Sequence, residues 1–249
     1  MVHYKFKWNI FPMGESAILI EFGKEINKDI HKTVRMFGKY LDKHPFKGMI
    51  EYVPAFSTVT IFYDIMKVRV REVNKGGRKS SYEIVSLLIN DMLANFNVCI
   101  NENIDEKVRI VKIPVCYGGK FGPDLHYVAE YNKISVDRVI ELHSNNDYIV
   151  YMIGFAPGFP YLGGMSKEIA APRCKSPRKS VSKGSVGIAG MQTGVYPIST
   201  PGGWRIIGNT PKVLFSPSKC PPSILRSGDV VRFYPISPDE YDKYRESEK

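Results

Sequence analysis

The sequence has no G-x-x-x-x-G-K-[ST] phosphate loop, no G-x-S-x-G nucleophile elbow and no H-E-x-x-H metal pair. No dinucleotide fingerprint follows a strand; Gly184, Gly187 and Gly190 recur every three residues, which is not the Rossmann spacing. These absences argue against a self-contained ATPase, serine hydrolase or zinc peptidase of a common type. Cysteine is scarce: Cys99, Cys116, Cys174 and Cys220 lie far apart with no C-x-x-C pair, so neither a disulfide framework nor a metal site is expected. Free thiols in a reducing cytosol are the simplest account. Long apolar runs are missing as well. Residues 148–166 are uncharged, but Gly154, Pro157, Gly158, Pro160, Gly163 and Gly164 interrupt them, and a spanning helix needs about 20 predominantly apolar residues. The N-terminal Met1-Val2-His3-Tyr4-Lys5-Phe6-Lys7 lacks the apolar core of a signal peptide. The expectation is a cytoplasmic protein that does not enter a membrane.

Charge is present without being concentrated in a tail. The 35 Lys/Arg and 25 Asp/Glu give +10, spread along the chain. That spread argues against a nucleic-acid arm, and the aromatics are not interleaved with basic residues as stacking platforms would be. A mild preference for anionic partners remains. With 249 residues, 43% of them hydrophobic, the chain suits two domains.

The first part reads as α+β. Ser16 to Phe22 is a strand paired with Trp8 to Phe11. Ile26, Ile30, Val34, Phe37 and Leu41 mark one helical face that stops at His44-Pro45. Met49 to Val53 and Thr58 to Tyr63 read as strands. A polar loop, Asn74 to Ser80, leads to Ser80-Ser81-Tyr82-Glu83, a capping-box pattern that opens a helix. The polar stretch Asn101 to Lys107 places a boundary near residue 103, giving domains 1–103 and 104–249. Beyond it come a strand at Val108 to Val115, helices at Asp124 to Tyr131 and Ser135 to His143, and a strand at Tyr148 to Ile153. Short β-prone runs follow (Val186 to Ala189, Val195 to Ile198, Trp204 to Ile207, Val213 to Phe215, Val230 to Tyr234), separated by Gly/Pro turns. They predict a β-barrel or sandwich, and the end after Asp239 a helix or frayed tail.

Residues that could carry chemistry concentrate from Tyr148 to Pro211. Two uncharged Gly/Pro-rich stretches, 148–166 and 184–204, flank a basic strip containing Lys167, Arg173, Lys175, Arg178, Lys179 and Lys183. Glycine lets backbone amides approach a ligand, and arginine offers a fork for carboxylate or phosphate. Together they suit a small anionic ligand in a barrel mouth, or else barrel turns beside a solvated loop. His143 ends a helix, where a cation is favoured; it serves as an acid/base, an anion ligand or a structural hydrogen-bonding group. Gln192 and Thr193 offer donors and acceptors for an amide or lactam, or turn chemistry. Tyr161, Tyr196 and Trp204 wall a pocket or fill a core.

Gly154-Phe155-Ala156-Pro157-Gly158-Phe159-Pro160-Tyr161-Leu162-Gly163-Gly164 resembles the signature of the family of bacterial 5-oxoprolinase B subunits. That family includes the histidine-kinase inhibitor KipI and subunit 1 of allophanate-hydrolase-like proteins, and is homologous to part of the urea carboxylase carboxyltransferase domain. Ala171-Pro172-Arg173, residues 184–190, Gln192-Thr193-Gly194-Val195-Tyr196-Pro197 and residues 201–208 match as well. So do residues 113–119, Phe121-Gly122-Pro123-Asp124-Leu125 and Leu142-His143-Ser144. The resemblance implies an α+β N-terminal domain followed by a mainly-β, cyclophilin-like barrel. It implies a subunit that works with 5-oxoprolinase subunits A and C to open 5-oxo-L-proline to L-glutamate with ATP, at a site shared with a partner. Carried onto this sequence, Arg173 and Arg178 would bind anions, amides near Gly187 and Gly190 would contact phosphate or oxyanion, and His143, Gln192 and Tyr196 would polarise substrate, with Thr193 and Trp204 alongside. Two alternatives share the signature: a KipI-like inhibitor of a sensor histidine kinase, and a carboxyltransferase or allophanate-hydrolase component acting on urea-derived substrates. No biotin-lysine context occurs; Ile65-Met66-Lys67-Val68 is only a superficial echo of A-M-K-M.

Overall fold

Period-two alternation in Thr58-Val59-Thr60-Ile61-Phe62-Tyr63 sends Val59, Ile61 and Tyr63 into a core and leaves the intervening residues half-buried. The computed structural model describes residues 6–73, 79–99 and 108–247. The chain divides into two compact units, Met1–Lys107 and Val108–Lys249. The boundary expected near residue 103 and most of the loop Asn74 to Ser80 lie outside the described residues.

In the first unit, β1 (Asn9–Pro12), β2 (Ala17–Glu21), β3 (Met49–Pro54) and β4 (Thr58–Tyr63) form an antiparallel sheet in the order β1-β2-β4-β3. Helix α1 (Lys28–Lys43) begins where the Asn27 side chain accepts the Asp29 amide at 2.7 Å, and it stops at His44. Its Val34, Phe37 and Leu41 are buried as the periodicity requires, whereas Ile26 stays outside the helix and exposed. Helix α2 (Ile65–Val73) was not expected from the pattern and buries Val68. Helix α3 (Ser81–Cys99) opens on a reciprocal capping box: Ser80 N donates to Glu83 Oε2 at 2.7 Å and Glu83 N donates to Ser80 Oγ at 3.2 Å.

The second unit contains β5 (Ile110–Tyr117), α4 (Leu125–Asn132), α5 (Val136–Ser144), β6 (Asp147–Ile153) and β7 (Pro160–Gly163). A 3-10 turn (Lys167–Ile169), β8 (Arg178–Val181), β9 (Ser185–Ala189), β10 (Gln192–Val195), β11 (Thr200–Gly202), β12 (Arg205–Asn209), β13 (Val230–Pro235) and α6 (Pro238–Ser247) follow. Seven strands close a barrel in the order β10-β7-β6-β13-β5-β12-β9, while β8 and β11 form a separate ribbon. Strand β13 lies between β5, to which it is parallel, and β6, to which it is antiparallel. Ile113, Val115, Val150, Leu162, Val186, Ile188, Val195, Ile207 and Val231 belong to the buried core of this unit.

Two strand expectations shift. The strand expected at Val195 to Ile198 lies upstream, over Gln192–Val195, because Pro197 has no amide to give a ladder. Val213 to Phe215 forms no strand, only an isolated bridge from Phe215 to Ser223. No helix among the described residues is long and apolar enough to cross a membrane.

Candidate functional site

The signature aromatics form a cluster distinct from the main barrel core. Phe159 packs edge-on against Tyr161, Tyr196 and Trp204, with ring centroids 5.2–5.6 Å apart. Glycine makes this packing possible. A Cβ on Gly194 would lie 3.1 Å from both Phe159 and Trp204, and one on Gly202 would collide with the Tyr196 hydroxyl. The loop before β7 is tightly bonded: Gly154 N donates to Phe159 O at 3.0 Å and Phe159 N to Ala156 O at 2.9 Å. At its tip Ala156 N donates to Gly154 O at 2.8 Å, which makes Phe155 the centre of a γ-turn with φ +66°. Only Phe155 and Lys133 among the described non-glycine residues have positive φ. Phe155 is also 66% exposed, so a strained backbone holds an aromatic ring that meets Phe159 edge-on at 5.4 Å and shows the rest of its surface to solvent.

The basic strip meets this cluster at the Tyr196 hydroxyl. Burial raises the Tyr196 pKa, opposed first by a hydrogen bond from the Trp204 backbone and then by the charges of Arg173 and Arg178. Backbone bonds hold Pro172 to Cys174 in place: Cys174 N donates to Gly203 O at 2.7 Å, Arg205 Nε to Pro172 O at 3.1 Å, and Gly190 N to Ala171 O at 2.7 Å. Arg173 itself is exposed and forms no ion pair among the described residues. Gln192 is half-buried at the start of β10, without a side-chain hydrogen bond among the described residues.

Arg178 is already engaged. Its Nη2 donates to Asp124 Oδ1 at 2.7 Å and its Nη1 to Trp204 O at 3.3 Å, and the Asp124 bond raises its pKa. Asp124 is buried, and its other oxygen accepts the Ile206 amide at 2.7 Å. The block Phe121-Gly122-Pro123-Asp124-Leu125 therefore locks α4, β12 and Arg178 together. The expected roles for Gly187 and Gly190 as amide donors need correction. Gly187 lies inside the barrel wall, paired with Gly194 of β10 and Ile206 of β12, and the Gly190 amide is taken by Ala171. Gly187 serves close packing beneath Trp204, and Gly190 supplies the positive φ of the β9–β10 hairpin.

His143 takes the structural, hydrogen-bonding one of its expected roles, not the acid/base or anion-binding ones. It lies in the core rather than at an exposed helix end, with no accessible surface. Its Nδ1 is 2.7 Å from Tyr117 Oη and its Nε2 is 2.9 Å from Thr193 Oγ1. Thr193 Oγ1 spends its proton on Gly187 O at 3.0 Å, because a carbonyl only accepts. Nε2 must therefore donate to Thr193, and Nδ1 accepts from the Tyr117 hydroxyl. Burial pushes the His143 pKa down to about 3, so the ring is neutral and the helix-dipole argument for a cation does not hold here. His143 ties α5 to β5 and β10 and orients Thr193. It touches no ligand-accessible surface. The roles of Tyr117, Asp124 and Phe155 were missed because each depends on distant partners or on a backbone angle.

Residues 8–225 match the family model of the carboxyltransferase domain, subdomain C and D. Over 240 residues, 96% of this chain and 98% of the relative, the sequence is 51% identical to the 5-oxoprolinase B subunit of Bacillus subtilis (strain 168). The chain belongs to the family of 5-oxoprolinase B subunits. A crystal structure of a conserved uncharacterized protein from Pyrococcus horikoshii is 45% identical, with a TM-score of 0.53 over 94% of this chain and all of that one. The Kluyveromyces lactis urea carboxylase shares the fold, with a TM-score of 0.72 at 20% identity, over 97% of this chain and 23% of that one. The aromatic cluster, the Asp124–Arg178 lock and the His143 bonds all lie within the residues that the family model matches.

Proposed function

We propose that this chain is the B subunit of an ATP-dependent 5-oxoprolinase, opening 5-oxo-L-proline to L-glutamate in the cytoplasm together with subunits A and C. The observation that carries this reading is the 51% identity to a protein of that name along almost the whole of both chains. The same reading takes the barrel as cyclophilin-like and the first unit as a separate α+β domain.

A lactam is a poor electrophile. ATP supplies the phosphoryl group that turns the amide oxygen into part of a leaving group. This chain's residues bind and orient. Exposed Arg173 meets the substrate carboxylate or a phosphate oxygen as a charge-assisted donor. Gln192 supplies an amide donor and acceptor that match those of a lactam. Tyr196, raised in pKa by burial, stays a neutral phenol; it is buried as His143 is, and it braces the Trp204 wall from behind rather than touching the substrate. The Phe159–Tyr196–Trp204 cluster keeps that hydroxyl in a dry surround. Thr193 and His143 hold β10, and with it Gln192, in register from behind. The His143 assignment is positioning rather than contact.

The test is reconstitution of the three subunits and measurement of ATP-dependent glutamate release. Arg173→Ala combined with Gln192→Ala should lower kcat/KM by about 100-fold or more, two charge-assisted or buried contacts at roughly tenfold each. Wild-type turnover by that double variant would rule these roles out. Full turnover by subunits A and C alone would rule out the subunit assignment.

A further inference from the structure

Beside the aromatic cluster, β8, the turn that follows it, the end of β12, the loop after β5 and α6 enclose a cavity of about 410 Å3. That volume falls in the range of small-molecule sites, roughly 300–1,000 Å3. Three cations line it, Lys120, Arg178 and Lys183, and no carboxylate does. Arg178 is matched by Asp124. Lys183 and Lys120 form no ion pair among the described residues, and Lys120 Nζ lies over the Phe121 ring at 5.1 Å, so the pocket carries two positive charges with no carboxylate partner.

The walls are held in place. Asn209 Nδ2 donates to Lys183 O at 3.1 Å, and Asn209 Oδ1 accepts from Tyr241 Oη at 2.8 Å, so one side chain fixes both the lysine turn and α6. Gly184, with φ +83°, lets that turn lie against β12, where a Cβ would collide with the Thr210 carbonyl. Tyr241 packs on Phe121 with ring centroids 4.6 Å apart, giving the cavity an aromatic wall. Ser180, Ser182 and Ser185 supply hydroxyls on the opposite side.

We propose that this cavity binds a phosphate-bearing small molecule. A phosphate group carries about −1.5 to −2 charge and three strong acceptor oxygens. The two lysines meet that charge, and together with the serine hydroxyls they offer more donors than the roughly four lone-pair sites of one carboxylate would take up, as the larger oxygen set of a phosphate would. The Phe121–Tyr241 pair gives that wall an apolar edge against which a ring attached to the phosphate can pack. The inference deepens the proposed function, whose reaction has phosphates to hold, and it rests on that reading only for the choice of ATP as a probe.

The test is isothermal titration of the isolated chain with ATP, pyrophosphate and glutamate, read without turnover. Saturable binding of ATP or pyrophosphate, weakened at least about tenfold by Lys120→Gln with Lys183→Gln and weakened further by added salt, is the expected result. Lys120→Arg with Lys183→Arg should retain binding. Lys179→Gln, the same loss of charge on a strand position that does not line the cavity, should shift Kd by less than about threefold. Tighter binding of ATP than of pyrophosphate, with only ATP weakened by Phe121→Ala, identifies a nucleotide; equal binding identifies free phosphate groups. Both lysines are exposed, and unchanged thermal unfolding of the variants confirms that they are folded. The proposal is overturned if neither phosphate ligand binds saturably, if glutamate binds as tightly, or if the Lys→Gln pair keeps wild-type affinity. Because this readout needs no partner chain, a complex that fails to open the lactam leaves it standing, and a failed titration leaves the subunit assignment standing.

Discussion

His143 shows how a single side chain can sit beside a functional surface and serve it from within. Its ring is neutral because charging it would strand a cation among Tyr117, Tyr148, Phe233 and Thr193. This has a measurable consequence for stability. The folded pKa is about 3 against an ordinary value of 6.5, so between those pH values the unfolded chain binds a proton that the folded chain refuses. Stability is therefore full above about pH 6.5 and falls towards acid, by up to about 1.4 kcal/mol per pH unit. Urea midpoints taken from about pH 7.5 to about 4.5 should fall in the wild type, and should fall much less in His143→Gln, which cannot titrate. Carboxylates held low by hydrogen bonds, such as Glu83 and Asp147, add their own loss only below about that range. Equal pH slopes in the two proteins would place the titrating group elsewhere.

The elements that could be read from sequence are those whose cause is local. Asn27, Ser80 and Ser135 all cap the helices that they precede, and α1 buries the face its spacing marks. Strands β7, β8 and β11 went unread, because Pro160, Gly163, Arg178, Pro201 and Gly202 give them no apolar alternation. Their pairing is supplied by neighbours distant in sequence. The site divides in the same way. The Tyr117–His143–Thr193 hydrogen bonds join three of the quoted blocks through space, and neither spacing nor residue type foretells them. The loop at Phe155 is the sharpest case, since a γ-turn at a phenylalanine leaves no mark in the sequence. Its strain costs about 1–3 kcal/mol. Phe155→Gly should relieve it and leave the melting temperature unchanged or raised, while turnover of the reconstituted complex falls. A variant that loses stability as well would show that the ring is held for packing, and its 66% exposure would then need another account.

Across the whole chain, the longest-range dependence is that of the barrel on its last strand. Val230–Pro235 pairs with Ile110–Val115 on one side and with Asp147–Ile149 on the other. Arg109 reinforces the join, its Nε donating to buried Asp229 at 2.8 Å. Helix α6, by contrast, buries no residue and reaches the barrel through Tyr241 and through a 2.9 Å hydrogen bond between the Tyr244 and Tyr234 hydroxyls. A chain ended after Ser237 should keep a closed barrel and lose about 1–3 kcal/mol of stability, whereas one ended after Ser227 should lose cooperative unfolding of the second unit altogether. Trp204 fluorescence melts of the two truncations in a Trp8→Phe background report on the second unit alone, and a cooperative transition of that signal in the shorter chain would refute this view of barrel closure. The same topology has a consequence during synthesis. At about 5–20 residues per second, the ribosome takes roughly 6–23 s between completing β5 and delivering the start of β13. Throughout that interval the edge of β5, and from the completion of β6 at Ile153 the facing edge of β6 as well, lacks its native neighbour, which makes these edges the place where a chaperone, or a stray strand from another polypeptide, has its opportunity.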